Sequence, residues 1–127
     1  MADIFAVLLN GVAQLEYDRN KPLTEYQTAY LDSMDEKMNN GIEMAGETIT
    51  RPDLNQKTQF VAANLLHALQ SGDEGLTSAL CTWLASRHPD LKQLKYDDRD
   101  NEGNVAIELV YDEEYSPQVA VNFSKLN

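Results

Sequence analysis

The chain has 127 residues, 43% of them hydrophobic, with 21 Asp or Glu against 10 Lys or Arg, a formal net charge of −11. That length suits one domain, and the hydrophobic fraction excludes wholesale disorder. The charge excludes non-specific nucleic-acid binding, which needs clustered cations, and disfavours anionic membrane surfaces. It leaves open a protein partner with a basic surface, or a charge that serves solubility alone.

In chain order, Ile4, Leu8, Val12 and Leu15 recur at helical spacing, widened by Phe5 and Leu9, and predict a first helix that fades near Asp18. The same apolar stretch lacks the cationic start of a signal peptide: Asp3 precedes it, and the first Lys or Arg is Arg19. No run approaches the ~18 apolar residues of a membrane span, so a cytoplasmic protein is expected. Thr24 and Gln27 form a capping box that opens a second helix, in which Tyr26, Tyr30, Met34 and Met38 repeat every four residues. Asn39, Asn40 and Gly41 end it. Residues 42–52 read as a connector without a sustained period. Asp53 and Gln56 cap a third helix with Phe60, Val61, Leu65, Leu66 and Leu69 on its buried face. A turn at residues 71–75 leads to a fourth helix bearing Leu76, Leu80, Trp83 and Leu84, which Pro89 terminates. The short link makes these two helices a hairpin.

Beyond Pro89 the period changes to two. Val105, Ile107, Leu109 and Tyr111 alternate with Ala106, Glu108 and Val110, and Val119, Val121 and Phe123 alternate likewise. Leu94 and Tyr96 mark a shorter strand before them. The expected fold is therefore α+β: four helices over about 3–88, then a three-stranded antiparallel meander over about 91–124 packed on them, within one domain at 1–127. Lys92 and Lys95 would guard one sheet edge. The uncharged strand carrying Val119, Val121 and Phe123 would form the other, an edge open to pairing with a second copy or covered by a helix or connector.

Candidate sites are few. Asp98, Asp100 and Glu102 with Gly103 imitate the start of a calcium loop, but Leu109 stands where the bidentate glutamate belongs, and a strand follows instead of a helix. A polar hairpin turn explains them better. Asp32, Asp35 and Glu36 lie opposite the Tyr and Met stripe and read as a solvated face, because no Glu-x-x-His accompanies them. Cys81, the only cysteine, sits in an apolar run and reads as a small core side chain that forms no internal disulfide. It lies seven residues from His88, too far along a helix, about 10 Å, for a direct dyad. His67 reads as a partly buried helix residue. No phosphate loop or metal-ligand spacing occurs, so no cofactor is expected.

Two surfaces remain. Tyr26, Tyr30, Met34 and Met38 form either an ordinary core stripe or an adaptable seat for a partner helix. Val119, Val121 and Phe123 form the open edge. The expected function is a small acidic accessory protein that binds another protein, without catalysis. The alternative is an enzyme or ligand-binding domain whose site assembles from distant residues, with His67 or His88 beside a carboxylate in a deep pocket as its mark. Mimicry of nucleic acid is a third idea, for which the acids are too thinly spread.

Overall fold

The computed structural model describes residues 3–99 and 104–115. Along them run β1 (Ile4–Leu9), β2 (Val12–Asp18), α1 (Glu25–Asn39), β3 (Ile42–Met44), β4 (Glu47–Ile49), α2 (Leu54–Ser71), α3 (Glu74–Arg87), β5 (Gln93–Asp97) and β6 (Ala106–Val110). The expected four helices followed by a meander are overturned. Among the described residues the fold is α+β with three helices and six strands, in a four-stranded mixed sheet ordered β2-β1-β5-β6 and a separate β3-β4 pair.

The first correction falls on residues 4–15, which form a hairpin and not a helix. Asn10 and Gly11 both adopt positive φ, 53° and 83°, between paired residues Leu9 and Val12. That two-residue turn suits the natural twist of two antiparallel strands, and Asn-Gly is its favoured sequence. Continuous apolar character in β1 reflects its place between β2 and β5, where both of its faces are screened from water. A register shift at Val7/Leu8 accommodates one extra residue of β2. The supposed connector is a second hairpin, in which Ile42 pairs with Ile49 around Ala45 and Gly46, again at positive φ of 53° and 80°.

The three helices begin where their caps dictate. Thr24 and Asp53 each complete a capping box, with Gln27 and Gln56, and Asp73 accepts from the Leu76 amide. Gly72, at φ 75°, closes α2 in the left-handed conformation and leads directly to α3. His88 before Pro89 ends α3.

The second correction concerns β5. It pairs antiparallel with β6, Leu94 opposite Leu109, but also parallel with β1, Val7 beside Leu94. β5 is thus an interior strand, and Lys92 and Lys95 guard no edge; they reach Glu114 and Glu113, each at 3.9 Å. Gln93 Nε2 donates to the Glu113 carbonyl at 2.8 Å, and the Tyr115 hydroxyl donates to Glu16 of β2. The chain after β6 therefore leads back over the sheet towards β2. The strand expected at Val119, Val121 and Phe123, and the dimer built on it, lie outside the described residues.

Alternation assigns the faces. Phe5, Val7, Leu94 and Tyr96 join the core with residues from all three helices, and Trp83, Leu31, Leu65 and Leu84 are fully buried there. Each such side chain contributes roughly 1.5–3 kcal/mol by leaving water. The helix α3 is buried around most of its girth, from Leu80 through Ala85, because other elements press on it from several sides.

Candidate functional site

The stripe on α1 divides into two unlike halves. Met38 is buried in the core and Met34 packs against it, whereas Tyr30 is 40% and Tyr26 81% exposed. Near Met34 and Met38 the neighbours are large: Phe60 and Val61 of α2 and Leu80 of α3. Near Tyr26 and Tyr30 they are small: Gly75, Ser78 and Ala79 of α3. Small residues leave space. A hollow of about 550 Å³ opens there, bounded also by Leu31, Asp73, Leu76 and Thr82. A second hollow of about 200 Å³ lies between Met34, Met38, Phe60 and Leu80. Leu76, 38% exposed, borders both and makes them adjoining parts of one groove along α1.

What holds α1 beside this groove is a polar clamp. The Trp83 indole Nε1 donates to Asp35 Oδ1 at 2.7 Å, Arg87 Nε donates to Asp35 Oδ2 at 2.9 Å, and Arg87 Nη2 donates to Asp32 Oδ1 at 2.7 Å. The face carrying Asp32 and Asp35 is therefore a tie to α3 and not merely solvated, correcting the sequence reading. Charge-assisted bonds to a half-buried carboxylate are stronger than those on an open surface.

Charge is uneven along the groove. Of the described residues, Asp73 is the one acid lining the larger hollow, where it accepts from the Leu76 amide, and no described Lys or Arg lines it. Lys37 lines the smaller one. Thr82 donates its hydroxyl to the Ser78 carbonyl at 2.8 Å, so it is engaged within α3. The groove offers aromatic, thioether and aliphatic surface with Asp73 in one hollow and Lys37 in the other.

Three further titratable groups, His88, Cys81 and Arg19, pack or bond within the fold. His88 is buried, and its Nδ1 lies 2.9 Å from the Thr58 hydroxyl, whose hydrogen is given to the Leu54 carbonyl at 2.8 Å. Burial lowers the His88 pKa below its ordinary value, with Arg19 adding to the effect and Asp90 opposing it. Cys81 is buried, and loss of water pushes its thiol up to about 12 despite the nearby Arg19. Such a thiol is not a nucleophile at neutral pH. Arg19 donates to the Ala85 and His88 carbonyls at 3.0 and 3.1 Å and lies over the Phe5 ring, binding the first hairpin to the end of α3. His67 is exposed, contrary to expectation.

A third hollow, about 600 Å³, lies on the sheet face away from the helices, among Leu8, Val12, Gln93, Lys95 and Tyr115. Neither histidine lines any of the three hollows. Of the imitation calcium loop, Asp98 exchanges hydrogen bonds with Asn10 at 2.8 and 3.0 Å, and residues 100–103 lie outside the described residues. No group of three or more His, Cys, Asp or Glu among the described residues is placed to hold a metal ion, and no described helix is long and apolar enough to cross a membrane.

Sequence reasoning found the Tyr and Met stripe but missed the opposite wall. Leu76 was placed on the fourth helix without a role, and the hollow beside it depends on how α3 is set against α1. The Gly75, Ser78 and Ala79 spacing was the one available sign of an open side. No protein-family model matches the chain, and neither a curated protein nor a solved structure does.

Proposed function

We propose that this chain is a small acidic accessory protein of the cytoplasm that binds another protein through the groove between α1 and α3. The carrying observation is that groove: Tyr26, Tyr30 and Leu76 stand exposed over a hollow of about 550 Å³ that continues towards Met34 and Met38. Aromatic and Met side chains are enriched where proteins meet, because they combine large apolar area with adaptable shape. The net charge of −11 favours a partner with a basic surface and speeds their encounter.

The test places a photo-crosslinking phenylalanine analogue at Tyr26 in cells, with the same analogue at exposed His67 as control. A protein adduct specific to Tyr26, lost in Leu76→Arg and weakened by salt, is the expected result. Equal adducts at both positions, or none at Tyr26, would remove the groove as the docking site.

A further inference from the structure

We infer that residues 118–123 add to the free edge of β2 as an antiparallel strand, with Val119, Val121 and Phe123 over the outer hollow of the sheet. The occupant is this chain's own segment, and the contact is separate from the groove between α1 and α3. Three observations carry this.

The first is the path of the chain after β6. Across the outer face, Gln93 Nε2 donates to the Glu113 carbonyl, Lys95 and Lys92 reach Glu113 and Glu114, and the Tyr115 hydroxyl donates to Glu16. Glu16, Ala6, Gln93 and Val110 stand side by side in the strand pairing, so residues 113–115 follow that row. The segment therefore arrives beside β2, the outer strand farthest from β6.

The second is what β2 offers there. It pairs with β1 on one side, and no described strand lies on the other. Its outward N–H and C=O groups form a template for a further strand. On the helix side, Leu15 and Tyr17 already pack against the core, and Arg19 is tied to the end of α3. On the outer side, the next row, Ala13, Leu8 and Lys95, floors the hollow of about 600 Å³, with Gly11 and Val12 beside it. Val12 is 62% exposed. Open apolar ground for an added strand lies on that outer side.

The third is the sequence that follows Tyr115. Val119, Val121 and Phe123 alternate with Gln118, Ala120 and Asn122, and none of the six carries a charge. Six residues extend about 20 Å, against seven residues in β2. Ser116 and Pro117 come first and suit a turn, since proline fixes its own φ and keeps the residue before it out of the helical region. Position then sets direction. Glu16 lies two residues from the Asp18 end of β2, so only a run back towards Val12 gives most of the six a partner. Tethering at Tyr115 holds the segment at a local concentration in the millimolar range, far above that of a second copy in dilute solution.

The experiment uses the full chain. Amide hydrogen exchange is followed by NMR in the parent and in Val121→Pro, which removes a backbone donor from the segment. The β2 amides that point away from β1 should exchange about tenfold faster in the variant, while those of interior strand β5 stay unchanged. A nitroxide on Ser124→Cys gives a second readout without a disruptive change, because Cys81 is buried and its thiol unreactive. The label should broaden Val12 and Ala13 and spare Ala106 and Val110. It should broaden nothing in a mixture where isotope-labelled chains lack nitroxide and unlabelled chains carry it. Broadening in that mixture would put a second copy in place of the chain's own segment and overturn the proposal. Broadening at β6 instead, or none at β2, would remove β2 as the receiving edge. Equal exchange in parent and variant would remove the strand pairing. None of these readouts touches Tyr26 or Leu76, so docking in the groove stands or falls by its own test.

Discussion

The two halves of α1 carry the same four-residue repeat and meet opposite fates. Towards its end, Met38 is sealed into the core, and Asp35 is gripped by Trp83 and Arg87. Towards its start, Tyr26 stands almost free of the body it faces. The difference lies in α3, which offers Leu80, Trp83 and Arg87 to one half but Gly75, Ser78 and Ala79 to the other. A periodic stripe states which way a helix faces. It does not state how near the opposite wall will be. Firm attachment at one end is what allows the other to stay open without α1 coming away.

The sharpest way to break this contrast is at Trp83, the largest fully buried side chain. Trp83→Ala should destabilise the fold by about 3–5 kcal/mol in urea unfolding followed by circular dichroism, because the cavity cannot fully collapse. A cost near that of a surface change would show that the clamp end is not the tight end. Next, Asp35→Ala should cost ~1–3 kcal/mol, since it strands the indole N–H as well as loosening Arg87. A double-mutant cycle with Arg87→Ala should return a favourable coupling; additivity would mean the ion pair contributes nothing.

Smaller and dependent on acidity is the contribution of His88, which ties the end of α3 to α2 through Thr58. Its pKa is lower in the fold than its ordinary 6.5, so the unfolded chain binds the proton more readily. The associated stability is therefore present above 6.5, declines as pH falls below it, and is fully lost below the depressed value in the fold. Arg19 and Asp90 act on this histidine, Arg19 lowering its pKa further and Asp90 opposing that, and burial keeps Tyr111, whose ring lies 5.3 Å away, neutral through that window. His88→Gln should flatten this part of the stability profile as pH falls through the ordinary histidine value of 6.5. Parallel profiles for variant and parent would refute the assignment. Smallest of all, Tyr26→Ala should change stability by no more than about 0.5 kcal/mol, as expected of an exposed side chain, while reducing capture of the partner. A larger loss of stability would mean that Tyr26 supports the fold, and the two halves of α1 would no longer differ in kind.

Local chemistry was legible. Thr24 with Gln27, Asp53 with Gln56, and Asp73 all start helices where they stand, because a cap needs only residues three or four positions apart. The hairpin of β1 and β2 was also written locally, in Asn10-Gly11, but the spacing of Ile4, Leu8, Val12 and Leu15 satisfies a helical template as well. Six consecutive apolar residues in β1 do not distinguish a buried strand from a buried helix; the turn does. The Ala45-Gly46 turn is weaker as a sequence signal, which is why β3 and β4 passed as a connector. Pairing of β1 with β5 joins Val7 to Leu94, and no local pattern announces a contact across so long a stretch of chain.

The candidate groove repeats that division. Its Tyr and Met side was visible from spacing alone, and its Leu76 side was not. Residue types and their intervals settle charge, helix starts, turn sites and the apolar faces, since these follow from forces acting over a few residues. Which strands become neighbours, how far α3 stands from α1, and whether a tyrosine ends in a core or over a hollow emerge only when distant segments compete for the same space. Packing is a property of the assembled body, and the open end of α1 belongs to it.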